Sequence, residues 1–324
     1  MYTWEQARDI INEFIEKLKF EREPLELYAP IRYTIEQSGK RVRPVLCLMA
    51  YNMYKEEVSD VLYPAVAMET YHNHTLIHDD VMDRADIRRG KPTVCAKWGD
   101  TPAILSGDTM LLLAFEFIAH SPVDKMPAML ALFTETAKEV CDGQQYDIEF
   151  ETRENVAEEE YMEMIRLKTS VLLAASLKLG GILAGASESD LENLYRYGET
   201  IGLAFQLQDD LLDVYADEKL FGKKIGGDIC CNKKTFLLIT AMNLASPAQL
   251  AQMKEWMEKG EFDAQEKIAW FTAMYNELGV KEVCENRIHE LFAKCDAYIN
   301  AISVAEEKKA ALKDFANMIL NRNL

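Results

Sequence analysis

ESDLENLYRYGETIGLAFQLQDDLLDVY, residues 188–215, decides the fold and begins to suggest the chemistry. Its apolar residues return three and four positions apart, the spacing of a long helix with one buried stripe. That stripe runs into Asp209, Asp210 and Asp213. The same arrangement stands far upstream in TLIHDDVMDRADIRRG, residues 75–90. There Leu76 and Ile77 lead into Asp79, Asp80, Asp83 and Asp86, and Arg88 and Arg89 follow. On a helix, Asp79 and Asp83 stand one turn apart with Cβ atoms about 5–6 Å from each other, where like charges repel. A hard cation between such carboxylates removes the conflict. Magnesium suits the task because it takes one or two carboxylates and fills its shell with water and phosphate oxygens. One DDxxD alone reads equally well as a solvated helix face. Two of them, each leaving an apolar stripe, predict two helices facing a pocket, with metal ions between them and a polyanion bridged by the metals.

Helical periodicity continues through most of the chain. WEQARDIINEFIEKLKF sets Ile10, Ile11, Phe14, Ile15 and Leu18 on one stripe. Similar stripes run through TPAILSGDTMLLLAFEFIAH and EEEYMEMIRLKTSVLLAASLKL. Glu158 to Glu160 suit the start of a helix, where carboxylates meet the positive end of the dipole. The 9 prolines and 15 glycines are few and mark breaks such as GKPT and FGKKIGGD, and no run of alternating strands stands out. The expectation is an all-α chain forming a single domain over residues 1–324.

Composition narrows the function. Of 324 residues, 49% are hydrophobic and 28% charged, a globular balance. A net charge of −18 argues against nucleic acid and against anionic membrane surfaces, since both require clustered cations. An anionic ligand must then be held by a few placed cations or by metal ions. Seven cysteines without C-x-x-C spacing read as reduced thiols in the cytoplasm. MYTWEQARDIINEF lacks the basic and apolar regions of a signal peptide. VLLAASLKLGGILAGA is interrupted by Lys178 and is shorter than the roughly 20 apolar residues of a membrane span, so it reads as a buried core helix.

Cations accompany both aspartate clusters. GKRVRP supplies Lys40, Arg41 and Arg43; RLKTS supplies Lys168 beside Thr169; GKKIGGDICCNKK supplies Lys223 and Lys233. A lone lysine is usually solvated. Flanking two metal-type clusters, these residues read as diphosphate grips, with arginine as a fork and lysine as a point charge.

With DDVMDRADIRRG at 79–90, FQLQDDLLD at 205–213, GKRVRP at 39–44, LKTS at 167–170 and GKKIGGDICCNKKT at 222–235, the chain resembles the trans-isoprenyl diphosphate synthases, or polyprenyl synthetases. The five motifs occur in that family's order, from about residue 30 to the last helix. The resemblance implies an antiparallel helix bundle around a deep central cavity, paired as a homodimer. It implies magnesium-dependent, head-to-tail condensation of isopentenyl diphosphate with an allylic diphosphate, with three ions present when substrate is bound. Asp79, Asp83 and Asp209 would bind magnesium, supported by Asp80 and Asp213. Arg88, Lys168, Thr169, Gln206, Lys223 and Lys233 would grip the allylic diphosphate. Lys40, Arg43, His72 and Arg89 would hold isopentenyl diphosphate. His74 and Thr75, the fifth and fourth residues before Asp79, would help set the floor of the product tunnel, and the expected product is farnesyl or geranylgeranyl diphosphate. The alternatives are a longer-chain synthase, a class I terpene cyclase and a non-catalytic synthase subunit. A cyclase would lack the second DDxxD and GKRVRP, and a regulatory subunit would have lost aspartates that are intact here.

Overall fold

The computed structural model describes residues 1–37, 39–216 and 225–320. Among them the only strands are Ile87–Arg88 and Lys91–Pro92, so the expected all-α class holds. Chain contacts divide into two compact units. One comprises residues 1–135, 175–195 and 302–312; the other comprises 136–174, 196–301 and 313–324.

The first unit begins with α1 (Trp4–Lys17), α2 (Leu25–Glu36) and α3 (Val42–Asn52). The predicted stripe of α1 buries Ile11 and Ile15, and Thr3 caps it in a reciprocal box with Gln6. Val45 through Tyr51 of α3 are buried at every position, which makes α3 the central helix of this core. Next come α4 (Leu62–Met82), α5 (Val94–Trp98), α6 (Asp100–Ile118) and the start of α7 (Met126–Thr152). Tyr71, Phe133 and Phe115 tie α4, α7 and α6 together edge to face, with ring centres 5.5 and 5.0 Å apart. Buried Asp190 closes the unit by accepting hydrogen bonds from the Tyr54 hydroxyl and from the Ser303 backbone and hydroxyl.

The second unit takes up the rest of α7, then α8 (Glu158–Ile165), the beginning of α9 (Val171–Ala184) and most of α10 (Glu188–Tyr215). Glu160 completes the start of α8 by accepting the Ala157 N–H, as the acidic opening predicted. Short α11 (Gly227–Cys230), α12 (Phe236–Leu244), α13 (Pro247–Glu258), α14 (Ala264–Glu277), α15 (Val280–Ala301) and the end of α16 (Ala310–Leu320) follow. Between α8 and α9, residues Arg166–Ser170 form a π turn, so EEEYMEMIRLKTSVLLAASLKL is not the single regular helix its stripe predicts. Backbone packing explains the widened turn. A Cβ on Gly143 of α7 would come within 2.3 Å of the Lys168 backbone nitrogen, and one on Gly202 of α10 within 2.6 Å of Ser170 Cα. The π turn is thus pressed between two helix backbones, and such turns often occur at functional sites.

Two helical stretches, Asp100–Ile118 and Glu158–Ala184, are long and apolar enough to cross a membrane by length and composition. The second is mostly buried, in keeping with its reading as core. The first exposes Ile104, Leu105 and Leu112. Gly143→Ala is expected to destabilise the protein by about 1–3 kcal/mol through overpacking. Urea unfolding of the two proteins measures this, and equal midpoints would contradict the close approach.

Candidate active site

In the first unit, α4 brings His72, His74, Thr75, Asp79 and Asp80 to its C-terminal half, and Asp83 caps it. The helix stops because Arg84 turns left-handed, with φ of 51°. Arg84 N–H then bonds the Val81 carbonyl and Ala85 N–H bonds that of Asp80, which is a Schellman ending. Thr93 secures the returning loop: its hydroxyl donates to the Ala85 carbonyl at 2.6 Å and its N–H to that of Asp86 at 3.0 Å. The hairpin pairs Ile87 with Pro92 and Arg88 with Lys91. Arg89 and Gly90 form its two-residue turn with φ of 52° and 74°, the positive pair that a type I′ turn requires.

This loop carries Arg88 and Arg89 back toward the helix end. Arg88 Nε donates to Asp80 Oδ1 at 2.8 Å. Asp80 is buried; burial raises its pKa while Arg88 opposes the rise. Its side chain therefore holds Arg88. The Arg89 guanidinium lies against Gly39, at the start of GKRVRP. Arg41 in the same motif has φ of 51° and is buried, ion-paired to Glu69 at 2.9 Å and hydrogen-bonded to the Ile35 carbonyl.

Arg43, His72, Arg88 and Arg89 come together electrostatically. Burial and neighbouring Arg89 push Arg43 down to about 10 against the pull of Glu69, and its buried Nε has no hydrogen-bond partner. Burial and the charges of Arg43, Arg89 and Arg88 hold His72 well below the usual imidazole range, so it is neutral at pH 7. Crowded arginines with an unused donor suit an incoming anion. Lys40, three residues before Arg43, is exposed. His74 points elsewhere: its Nδ1 lies 2.9 Å from the Gly107 carbonyl on α6, and its ring meets those of Tyr71 and His78. Burial pushes it down to about 4. The Thr75 hydroxyl donates to the His72 carbonyl.

In the second unit, the π turn directs Lys168 to Asp147 of α7, with Nζ and Oδ2 2.5 Å apart. It brings the Thr169 hydroxyl within 3.3 Å of Gln206 Oε1, to which it donates. Arg166 fastens the start of the turn to Glu163, Glu199 and Glu139. On α10, Asp210 is buried and accepts the Tyr161 hydroxyl at 2.5 Å and the Phe236 N–H at 3.1 Å. Asp213 accepts the Asp228 N–H at 3.1 Å. Burial, joined by the carboxylates of Asp228 and Asp209, raises Asp213 to about 6. Burial also raises Asp210 to about 7. Burial works against the charge of Lys233, yet Asp147, Asp228, Asp210 and Asp209 outweigh it and keep the ammonium strongly protonated.

Asp209, Asp213 and Asp228 thus form a crowded anionic group bordered by Lys233. Oxygen donors that repel one another fit a hard divalent cation. Among the described residues no group of three His, Cys, Asp or Glu side chains is placed to hold a metal ion by itself. A magnesium site needs only one or two carboxylates, with water and phosphate oxygens filling the rest of its shell. Lys223 lies outside the described residues. Asp147, Asp228 and Glu69 were not among the candidate site residues. Asp228 stood within GKKIGGDICCNKKT, whereas Asp147 lies in GQQYDIEF, two residues before Glu149, with no local pattern to mark it.

The raised carboxylates have a definite linkage sign. In metal-free protein, Asp213 and Asp210 bind protons more tightly folded than unfolded, so their contribution is full below about pH 4 and lost as pH rises through 6 to 7. Melting curves should therefore show Asp213→Asn gaining on wild type as pH rises from 4 to 7.5, and added magnesium should narrow the difference at neutral pH. A gap independent of pH would contradict the crowding.

Comparison with known proteins agrees with this geometry. Residues 24–275 match the family model described as polyprenyl synthetase, a segment that runs through both units. The chain is 47% identical over 221 residues to a geranylgeranyl diphosphate synthase of Methanosarcina mazei, covering 67% of this chain and 68% of that one. A crystal structure of a geranylgeranyl pyrophosphate synthase superposes with a TM-score of 0.95 at 39% identity over 100% of both chains. Another, from Corynebacterium glutamicum in complex with isoprenyl diphosphate and magnesium, gives 0.86 at 28% identity over 99% of this chain and 98% of that one. Aspartate clusters at two helix ends, their attendant cations and these likenesses place the chain in the polyprenyl synthetase family.

Proposed function

We propose that Asp79 and Asp83 in the first unit, and Asp209, Asp213 and Asp228 in the second, hold the magnesium with which this prenyltransferase joins isopentenyl diphosphate to an allylic diphosphate. The product is a trans-polyprenyl diphosphate of farnesyl or geranylgeranyl length, the latter in line with the names of the relatives. The observation that carries the reading is the crowding of Asp213 by Asp209 and Asp228. Bound there, magnesium, up to three ions with substrate present, would supply positive charge to offset that growing on the leaving diphosphate.

Lys168, Thr169, Gln206 and Lys233 hold the allylic diphosphate, with Arg88 fixed by Asp80 and Lys223 assigned by motif alone. As the allylic carbon–oxygen bond breaks, its electron pair leaves with the diphosphate. The Thr169 and Gln206 oxygens present partial negative charge to the resulting cation. Arg43, Arg89, Lys40 and neutral His72 hold isopentenyl diphosphate, whose double bond attacks the cation. A proton then leaves to the released diphosphate, which restores the double bond. No nucleophilic side chain is required.

Seven free thiols support a cytoplasmic setting. The exposed apolar face of α6, with Ile104, Leu105 and Leu112, supports a homodimer that covers it. Sedimentation should find a dimer, and Leu112→Glu should shift it toward monomer; an unaltered dimer would remove α6 from the interface. For activity, the protein is incubated with magnesium, isopentenyl diphosphate and, separately, dimethylallyl, geranyl or farnesyl diphosphate, and the products are sized. Wild type should stop at a defined farnesyl or geranylgeranyl length, and Asp209→Asn should lose about 100-fold or more in turnover. No elongation from any primer would overturn the reading.

A further inference from the structure

Lys267, on the first turns of α14, has none of its surface exposed, and the condensation makes no use of it. Its Nζ donates to Asn232 Oδ1 at 2.6 Å and to the Cys230 carbonyl at 3.5 Å, and lies 4.2 Å from the centre of the Phe262 ring. No carboxylate pairs with it among the described residues; burial lowers its pKa, and Cys230 and Cys231 only partly offset this. An ammonium withdrawn from water without a counter-ion is costly to the fold. Filling this volume would need only a neutral side chain such as methionine. The charge must therefore be read from what it holds.

Both acceptors lie on one segment. Cys230 ends α11, so its carbonyl belongs to the negative end of that short helix. Asn232 is left-handed, with φ of 56°, and its own amide donates to the Met257 carbonyl at 2.9 Å. Lys233 N–H then returns to the Asp228 carbonyl at 2.9 Å and closes the loop. At the other end, a Cβ on Gly226 would come within 2.5 Å of Ile268, the residue after Lys267. One turn of α14 therefore grips the segment twice: Ile268 against Gly226, and Lys267 at Cys230 and Asn232. Asp228 and Lys233 lie on the stretch so held.

We propose that Lys267 is a positioning residue, a buried brace that fixes the 226–233 segment so that Asp228 and Lys233 meet the allylic diphosphate and its magnesium. The proposal rests on the roles given above to Asp228 and Lys233. It sets apart the two substrates, because Asp228 and Lys233 are assigned to the allylic diphosphate alone.

The test compares full-length wild type with Lys267→Met, Lys267→Arg and Asn232→Gly. Lys267→Met and Asn232→Gly should raise the KM for allylic diphosphate and the half-saturating magnesium concentration about tenfold, with the KM for isopentenyl diphosphate within about twofold of wild type. Lys267→Arg should recover most of the loss. If Lys267→Met does not fold, Asn232→Gly, which retains a residue at ease with positive φ, carries the same comparison. A lysine with only a structural role would lower melting temperature and active fraction and leave both KM values and the magnesium requirement unchanged, which would overturn the proposal. Amide hydrogen exchange over 226–235 reads the brace without turnover, and it should quicken in Lys267→Met and stay slow in Lys267→Arg. Unchanged exchange in Lys267→Met would also overturn it. Should wild type make no product, the assigned chemistry falls, while the exchange still reports whether Lys267 holds the segment.

Discussion

A carboxylate near the carbonyl end of an α-helix faces the negative pole of the helix dipole. This chain puts three aspartates at the end of α4 and three near the end of α10. Most of the site's local structure answers that conflict. Asp80 meets it with Arg88, which a strained hairpin delivers. Asp210 meets it through a tyrosine hydroxyl and a backbone N–H, at the expense of a carboxyl that titrates near neutrality. In each cluster the second aspartate is thus given to the protein's own architecture. The flanking positions, Asp79 and Asp83, Asp209 and Asp213, are those assigned to the metal.

The two units approach phosphate differently. In the first, arginines crowd one another around a neutral histidine, and buried Glu69 supplies the balancing charge through Arg41. In the second, carboxylates are in excess, and two lysines stand among them, Lys168 against Asp147 and Lys233 within reach of four acids. A cation surplus can take a bare diphosphate directly. A carboxylate surplus favours one that arrives with its metal.

Much of this was legible in the sequence. The apolar stripes gave the helices, because burial of one face is periodic in a way that single residues need not decide. The paired DDxxD spacing marked both clusters. What could not be read were features that depend on distant residues. The Lys168 π turn is imposed by the backbones around Gly143 and Gly202, neither of them near LKTS in sequence. Asp147 matters only because α7 carries it to Lys168. Within DDxxD, the inward turn of Asp80 and Asp210 reflects Arg88 and Tyr161, and the motif alone does not distinguish its members. The bond between His74 and a carbonyl of α6 likewise joins residues far apart in the chain.

The loop after Asp83 sets arginine, not glycine, at two left-handed positions, Arg84 and Arg89. For an L-residue with a side chain, each such conformation costs roughly 1–2 kcal/mol. Glycine at either position would relax the backbone. At Arg89 it would also delete a guanidinium assigned to substrate. Selection for stability and selection for substrate capture therefore pull that codon in opposite directions, and a search for hardier variants that scores folding alone would be drawn to remove it.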